Sequence, residues 1–247
     1  MNFSGKAKNI LSAVLDCLFP RCCTICGKRV DVKEYCNLCS FCAARIPWLR
    51  GPRCRLCSRS MGSVPLFGDE GLLCDKCKSS MPCFKSYMAC WSHNGIGRSI
   101  VLALKYGSAD FLKNDIVALL ENNCSEVCQF ASNSVLVPVP MHYFRRVGRG
   151  YNQAEVICEA ILKIANESTI VSMLTSRRKK SQTKLAGRDR LLNIKNVFEC
   201  SSVGVAKNSR IVLVDDVFTT GATARECCHV LHDAGFDDLH VLTLSHG

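Results

Sequence analysis

The chain has 247 residues, 48% of them hydrophobic, and carries 32 Lys/Arg against 21 Asp/Glu for a formal net charge of +11. That apolar share sustains a packed core and excludes a disordered chain. The length fits one large domain, or a domain of roughly 150–170 residues with a smaller one, and the charge favours anionic partners.

In chain order, the first feature is "NILSAVLDCLF", which reads as a short amphipathic helix with Ile10, Leu11, Val14, Leu15 and Leu18 on one face. It is too short to span a bilayer and is interrupted by Asp16. With no small-residue cleavage site after it, it does not read as a signal peptide. The expectation is a cytoplasmic protein with no membrane span. The helix would pack on the body of the protein or rest on a membrane surface.

Nineteen cysteines follow an uneven distribution, and eight form four CxxC pairs: Cys23/Cys26, Cys39/Cys42, Cys54/Cys57 and Cys74/Cys77. In a reducing compartment that pattern points to metal. Twelve residues separate Cys26 from Cys39 and sixteen separate Cys57 from Cys74. Sequential pairing therefore gives two four-thiolate zinc sites, while interleaved pairing stays open. Cys22 and Cys36 are close enough to substitute as ligands in the first site. Four thiolates leave zinc no open position, so both sites are expected to be structural. Each carries a net −2, which lowers the formal charge to roughly +7. A redox dithiol or an iron–sulfur cluster is the alternative. The later cysteines, such as Cys124, Cys128, Cys158, Cys227 and Cys228, suit small buried apolar positions.

Residues 1–83 are knuckles and connectors with little periodicity, which need staples to fold. From residue 84 onward, apolar strand candidates (134–139, 169–174, 210–215, 239–245) alternate with helix candidates (96–105, 111–122, 152–166, 222–234). Such alternation predicts an α/β fold with a parallel sheet flanked by helices. The boundary falls between 80 and 92, giving domains 1–83 and 84–247, with no Gly/Ser linker between them.

The chemistry concentrates in "IVLVDDVFTTGATARE", residues 211–226. Ile211 to Val214 read as a central parallel strand, and the loop from Val217 to Thr223 opens a helix. Backbone N–H groups at that helix start, with the hydroxyls of Thr219, Thr220 and Thr223, make an anion site. Gly221 and Ala222 keep the loop small, and Gly221 allows close backbone approach. No Lys follows the glycine, so it is not a Walker loop, and the glycine triplet of a dinucleotide fingerprint is absent. Two carboxylates, Asp215 and Asp216, stand directly before the cradle. They can accept hydrogen bonds from vicinal hydroxyls while the loop, Val217 and Phe218 included, holds a phosphate. The alternative is a strand that ends in solvated acids.

This stretch resembles the signature with which type I phosphoribosyltransferases bind 5-phosphoribosyl-1-pyrophosphate (PRPP). Purine-salvage members of that superfamily carry an aspartate where this chain has Thr219, which weakens a purine-salvage reading. "PVPMHYFRRVGRGYNQAE" (138–155), "LALKYG" (102–107) and "SQTKLAGRDRLLNIKNVF" (181–198) resemble further blocks of ComF-type proteins, with Tyr151 where Phe is usual. Four CxxC pairs ahead of such a domain are that family's arrangement. The resemblance implies a type I phosphoribosyltransferase-like fold, PRPP with magnesium as ligand, and an association with DNA uptake during transformation.

Physically, Val139-Pro140 would end a strand at the carboxyl edge of the sheet, where open α/β sheets bind ligands. Arg145, Arg146 and Arg149 follow, suited to bidentate contacts with a pyrophosphate. Asn152 and Gln153 would either cap the next helix or bond the ligand. Lys105 is a surface lysine or a ligand contact, and Lys105, Arg149 and Arg190 are the catalytic candidates. The basic segment 177–193 resembles the mobile loop that closes over PRPP. Residues 141–193 hold eleven Lys/Arg and four Asp/Glu. That charge serves pyrophosphate displacement at the ribose C1, as in a phosphoribosyltransferase. Alternatively it tracks single-stranded DNA, with other DNA-uptake proteins as partners and with Trp48, Phe67, Phe84 and Trp91 as stacking candidates. A scaffold that only senses PRPP is the third reading.

Overall fold

The computed structural model describes residues 20–62, 72–79, 81–106, 109–141, 143–176, 197–201 and 204–247. The N-terminal segment 1–19, Phe67, Arg190 and the basic segment 177–193 lie outside them. The apolar run Ile-Val-Leu-Val continues through both aspartates as one strand, Ile211–Phe218, whose first four residues are buried on both faces. A strand covered on both sides is expected in a parallel sheet. All five strands of that sheet are parallel, in the order β1 (Ser86–Ser92), β7 (Leu239–His246), β6 (Ile211–Phe218), β2 (Val135–Pro138), β3 (Thr169–Ile170). A second, antiparallel ribbon joins β4 (Leu174–Ser176) to β5 (Phe198–Cys200).

After two short helices in the cysteine-rich part, α1 (Ser40–Ala43) and α2 (Asp75–Ser79), the predicted helices are present as α3 (Gly95–Tyr106), α4 (Ala109–Asn123), α7 (Gln153–Leu162) and α8 (Ala222–Asp233). Two shorter ones join them, α5 (Glu126–Ala131) and α6 (Tyr143–Arg149). Within 169–174 the chain forms the end strand β3, breaks, and restarts as β4 at Leu174. Strands β1 and β5 have no counterpart among the predicted elements, and β4 overlaps one only at Leu174. Among the described residues, no helix is long and apolar enough to cross a membrane.

The two faces of the sheet carry separate cores. Val212, Val214, Leu242 and Leu244 pack with Ile100, Leu104, Ile116 and Ile157 on one face. Ile211, Leu213, Leu239 and Val241 pack with Cys227, Leu231 and Phe198 on the other. The cysteine-rich half straddles the β1 edge between them. Its first knuckle adds Cys23, Leu38, Cys39 and Cys42 to the first core, and its second adds Cys54, Leu56, Cys74 and Cys77 to the second.

Between the knuckles the backbone runs along β1. Ser92 N donates to Pro47 O at 2.9 Å, Leu49 N to Cys90 O at 2.9 Å and Tyr87 N to Arg55 O at 2.6 Å. These bonds satisfy part of an edge that would otherwise stay open to pairing. The knuckles also repeat one another. Gly27 N bonds to Cys23 O, and Ser58 N bonds to Cys54 O, each at 2.8 Å. Gly27 and Ser58 both take positive φ, 72° and 53°.

Candidate functional site

The eight CxxC cysteines gather as two groups in sequential order, Cys23/Cys26/Cys39/Cys42 and Cys54/Cys57/Cys74/Cys77. Within each group all sulfurs lie within 4.8 Å of one another. Cys26 Sγ and Cys39 Sγ are 3.6 Å apart, and Cys57 Sγ and Cys74 Sγ are 3.7 Å apart. Cys22 and Cys36, both exposed, belong to neither group. Burial alone would raise the thiols of Cys23 and Cys54. Backbone N–H groups aimed at their sulfurs, such as Cys74 N at 3.4 Å from Cys54 Sγ, instead hold both at about 7. N–H donors around four converging thiols suit a closed tetrahedral zinc thiolate centre.

The second site lies where the sheet reverses its winding. From β2 the chain moves outward through α7 to β3; from β6 it moves the opposite way through α8 to β7. The crevice between β2 and β6 is thus a topological switch point, the place where open α/β sheets bind ligands. A pocket of about 640 Å³ opens there, and Asp215, Asp216, Lys105, Arg149, Gln153 and Thr223 are among the residues that line it.

Each side chain arrives by a distinct device. Lys105 sits in the last turn of α3 and pairs with Asp216 at 3.1 Å. Tyr151 Oη donates to the carbonyl of Leu104, the residue before it, at 2.7 Å, which ties α3 to the start of α7. Arg149 ends α6, with its guanidinium 5.2 Å from the centre of the Tyr106 ring. Arg146 instead pairs with Glu155 at 3.1 Å. Asn152 caps α7, accepting from Ala154 N at 3.1 Å and donating to Val139 O at 3.0 Å. Gln153 is 3% exposed, and its Nε2 has no partner among the described residues. Of the two, Asn152 is therefore the cap.

At the strand end, loss of water and then the neighbouring Asp216 carboxylate push Asp215 up to about 7. A bond from Asp216 N at 2.8 Å and the charge of Lys105 oppose this without cancelling it. The turn Thr219–Gly221 leads into α8. Gly221 has φ +72°, and a Cβ there would lie 2.3 Å from Phe218 Cζ. Phe218, 5% exposed, stacks on Tyr87 with ring centres 4.2 Å apart. Its ring is therefore a floor beneath the turn. Thr219, Thr220 and Thr223 are exposed above it. With Val217, Ala222 and Asp215 they border a small cavity of about 40 Å³.

The structure thus brings Lys105, Arg149 and both aspartates to one pocket and places the threonine turn beside it. Met141, Ser176 and Phe198 also line the pocket and were not singled out in the sequence. Ser176 and Phe198 come from the β4–β5 hairpin, whose strands of three residues leave little periodic signal. The arrangement can accept hydrogen bonds from vicinal hydroxyls at its carboxylates, hold an anion at the turn, and meet a second anion with Lys105 and Arg149.

Comparison with known proteins adds an independent line. A family model described as the double zinc ribbon domain matches residues 14–78. The chain is 26% identical to competence protein F of Haemophilus influenzae, over 84% of this chain and 96% of that one. It is 25% identical to the DNA utilization protein YhgH of Salmonella typhi, over 86% of this chain and 91% of that one. Among solved structures, a hypoxanthine phosphoribosyltransferase from Staphylococcus aureus aligns with 54% of this chain and 64% of its own, less than two thirds. Its TM-score is 0.35 at 13% identity, too slight a likeness to speak for activity. Two cysteine ribbons ahead of a helix-flanked parallel sheet, with a match along nearly the whole length of competence protein F, make the chain similar to that protein from its zinc-ribbon part through its α/β part.

Proposed function

We propose that this chain binds PRPP with magnesium at the β2–β6 crevice and acts in the handling of single-stranded DNA. The observation that carries the first part is one pocket holding a carboxylate pair, two cations and an adjoining helix-start turn at the switch point. Asp215 and Asp216 would accept from the ribose hydroxyls. The turn from Thr219 to Thr223 would hold the 5′-phosphate on N–H groups and hydroxyls, and Arg149 with Lys105 would meet the pyrophosphate. The unmet amide N–H of Gln153 asks for an acceptor, and a ligand oxygen would supply one. Magnesium bound with PRPP would neutralise pyrophosphate charge, and Asp215, the carboxylate of the pair not matched to Lys105, is the residue to face it.

Phe198 and Met141 give the same pocket an apolar wall. That wall favours a second reading, transfer of phosphoribose to a planar acceptor with pyrophosphate leaving from C1. The DNA part is supported by the names of the relatives and by the basic surplus of residues 141–193.

Calorimetric titration of magnesium PRPP into zinc-replete protein tests the first part. Wild type should bind, and the double variant Asp215→Asn/Asp216→Asn should lose binding while keeping two zinc ions per chain. A double variant that binds like wild type would remove the ribose assignment.

A further inference from the structure

A second cavity, of about 180 Å³, lies at the seam between the second knuckle and the β1 edge. It shares no lining residue with the β2–β6 pocket. Its walls follow from the docking of the ribbon backbone along β1, through the bonds of Leu49 to Cys90 and Tyr87 to Arg55. Three guanidinium groups, Arg50, Arg53 and Arg55, line it against one carboxylate, Glu126. Arg50 and Arg55 are exposed, while Arg53 is built in. Arg53 Nη1 donates to Ser58 O at 2.8 Å, yet its Nε is buried with no acceptor among the described residues. A buried N–H without an acceptor is unfavourable, and a ligand oxygen would relieve it.

The cavity also has an aromatic wall. Trp91 and Phe84 are 0% and 2% exposed and belong to the cores, whereas Trp48 is partly exposed and lines the cavity. Arg50 lies over the Trp48 ring at 5.9 Å. The volume is that of about six waters, room for a phosphate with part of its nucleoside but not for a whole PRPP molecule. Guanidinium forks recognise phosphate oxygens, and an indole face stacks on any base.

We infer that this seam is a second phosphate-recognition site that takes a nucleotide unit, with its phosphate on Arg53, Arg50 and Arg55 and its base against Trp48. A free mononucleotide and one unit of a DNA strand offer the same chemistry. Only the extension to a strand rests on the DNA reading above, and nothing in the site depends on PRPP.

The test uses the zinc-loaded full chain with two probes, a fluorescein-labelled oligo(dT) followed by anisotropy across a salt series and dTMP followed by tryptophan fluorescence. The variants are Arg50→Ala/Arg55→Ala, both exposed positions, and Trp48→Phe. Zinc content and magnesium PRPP binding serve as checks of folding. Oligo(dT) should bind the arginine variant at least about tenfold more weakly, with a log–log salt slope smaller by roughly 1.4 for two lost phosphate contacts. dTMP should quench wild type and leave Trp48→Phe unchanged, because Trp91 is buried. An arginine variant with wild-type affinity and slope would overturn the site while leaving DNA handling to another surface. Binding of dTMP that the arginine variant loses, with no oligo(dT) binding to wild type, would uphold the site and remove the strand. Failure of wild type to bind either probe would overturn the inference.

Discussion

Asp215 and Asp216 are neighbours in the chain and different groups in the fold. Asp216 meets the ammonium of Lys105 at 3.1 Å, while Asp215 is left to desolvation and to its neighbour's charge and rises to about 7. Below that value it holds a proton and cannot serve as a full acceptor. PRPP affinity should therefore weaken as pH falls through about 7, by at most roughly tenfold per unit, and level off above it. Binding constants measured from about pH 8 to about pH 6 should show this step in wild type, and Asp215→Asn should remove the part that PRPP's own titration does not explain. For stability the sign is opposite. The unfolded carboxyl loses its proton near about 3.9, so between there and about 7 the folded chain holds a proton that the unfolded chain lacks. This group thus favours folding at the acid end and withdraws that contribution as pH rises through 7. The residue types of this site stand in plain view in the sequence, but the inequality of the two carboxylates does not. It comes from Lys105, more than a hundred positions away. Gly221 shows the same limit. A small residue in the turn is legible, while the Phe218 ring that would meet a side chain there is known only from the packing.

At the scale of elements, α4 does more than cover the sheet. Its Asp115, 0% exposed, accepts from Cys36 N at 2.7 Å, from Asn37 N at 3.1 Å and from Asn37 Nδ2 at 3.1 Å. One carboxylate thus ties the loop of the first knuckle to the α/β half. Asp115→Ala would leave those donors unmet and should cost about 2–3 kcal/mol. Thermal unfolding together with zinc release to a chelator checks it: the first centre should release faster and the second should not change. Equal release from both would mean that Asp115 does not hold the knuckle. Helices of ten or more residues were legible because their apolar period persists for several turns. β1 was not, because Tyr87-Met88-Ala89-Cys90-Trp91 directly follows cysteine-rich loops and its partner, β7, lies about 150 residues downstream. The β4–β5 hairpin escaped for the same reason, since its two strands are separated by the long basic segment.

In the whole molecule, the two ribbons clasp the sheet by its β1 edge, one on each face, so their cysteines belong to the cores they staple. Loss of one ligand should therefore reach beyond its own knuckle. Cys54→Ser should reduce zinc to one per chain and lower the melting temperature of the whole chain or render it insoluble, since structural zinc binding is folding free energy. Zinc quantification and a melting curve test this; a soluble variant with two zinc ions and an unchanged melt would refute it. The sequence by itself determined the metal chemistry, the alternation that makes a parallel sheet, and the strand–acid–threonine signature. Each is written in contiguous residues or in short fixed spacings. Only the tertiary structure decided which face each ribbon covers, which carboxylate receives Lys105, that Gln153 and Arg53 keep a donor unmet among the described residues, and that Trp48 lines a cavity while Trp91 and Phe84 are buried in the cores. Those outcomes depend on contacts between segments far apart in the chain, where local pattern carries no information about who meets whom.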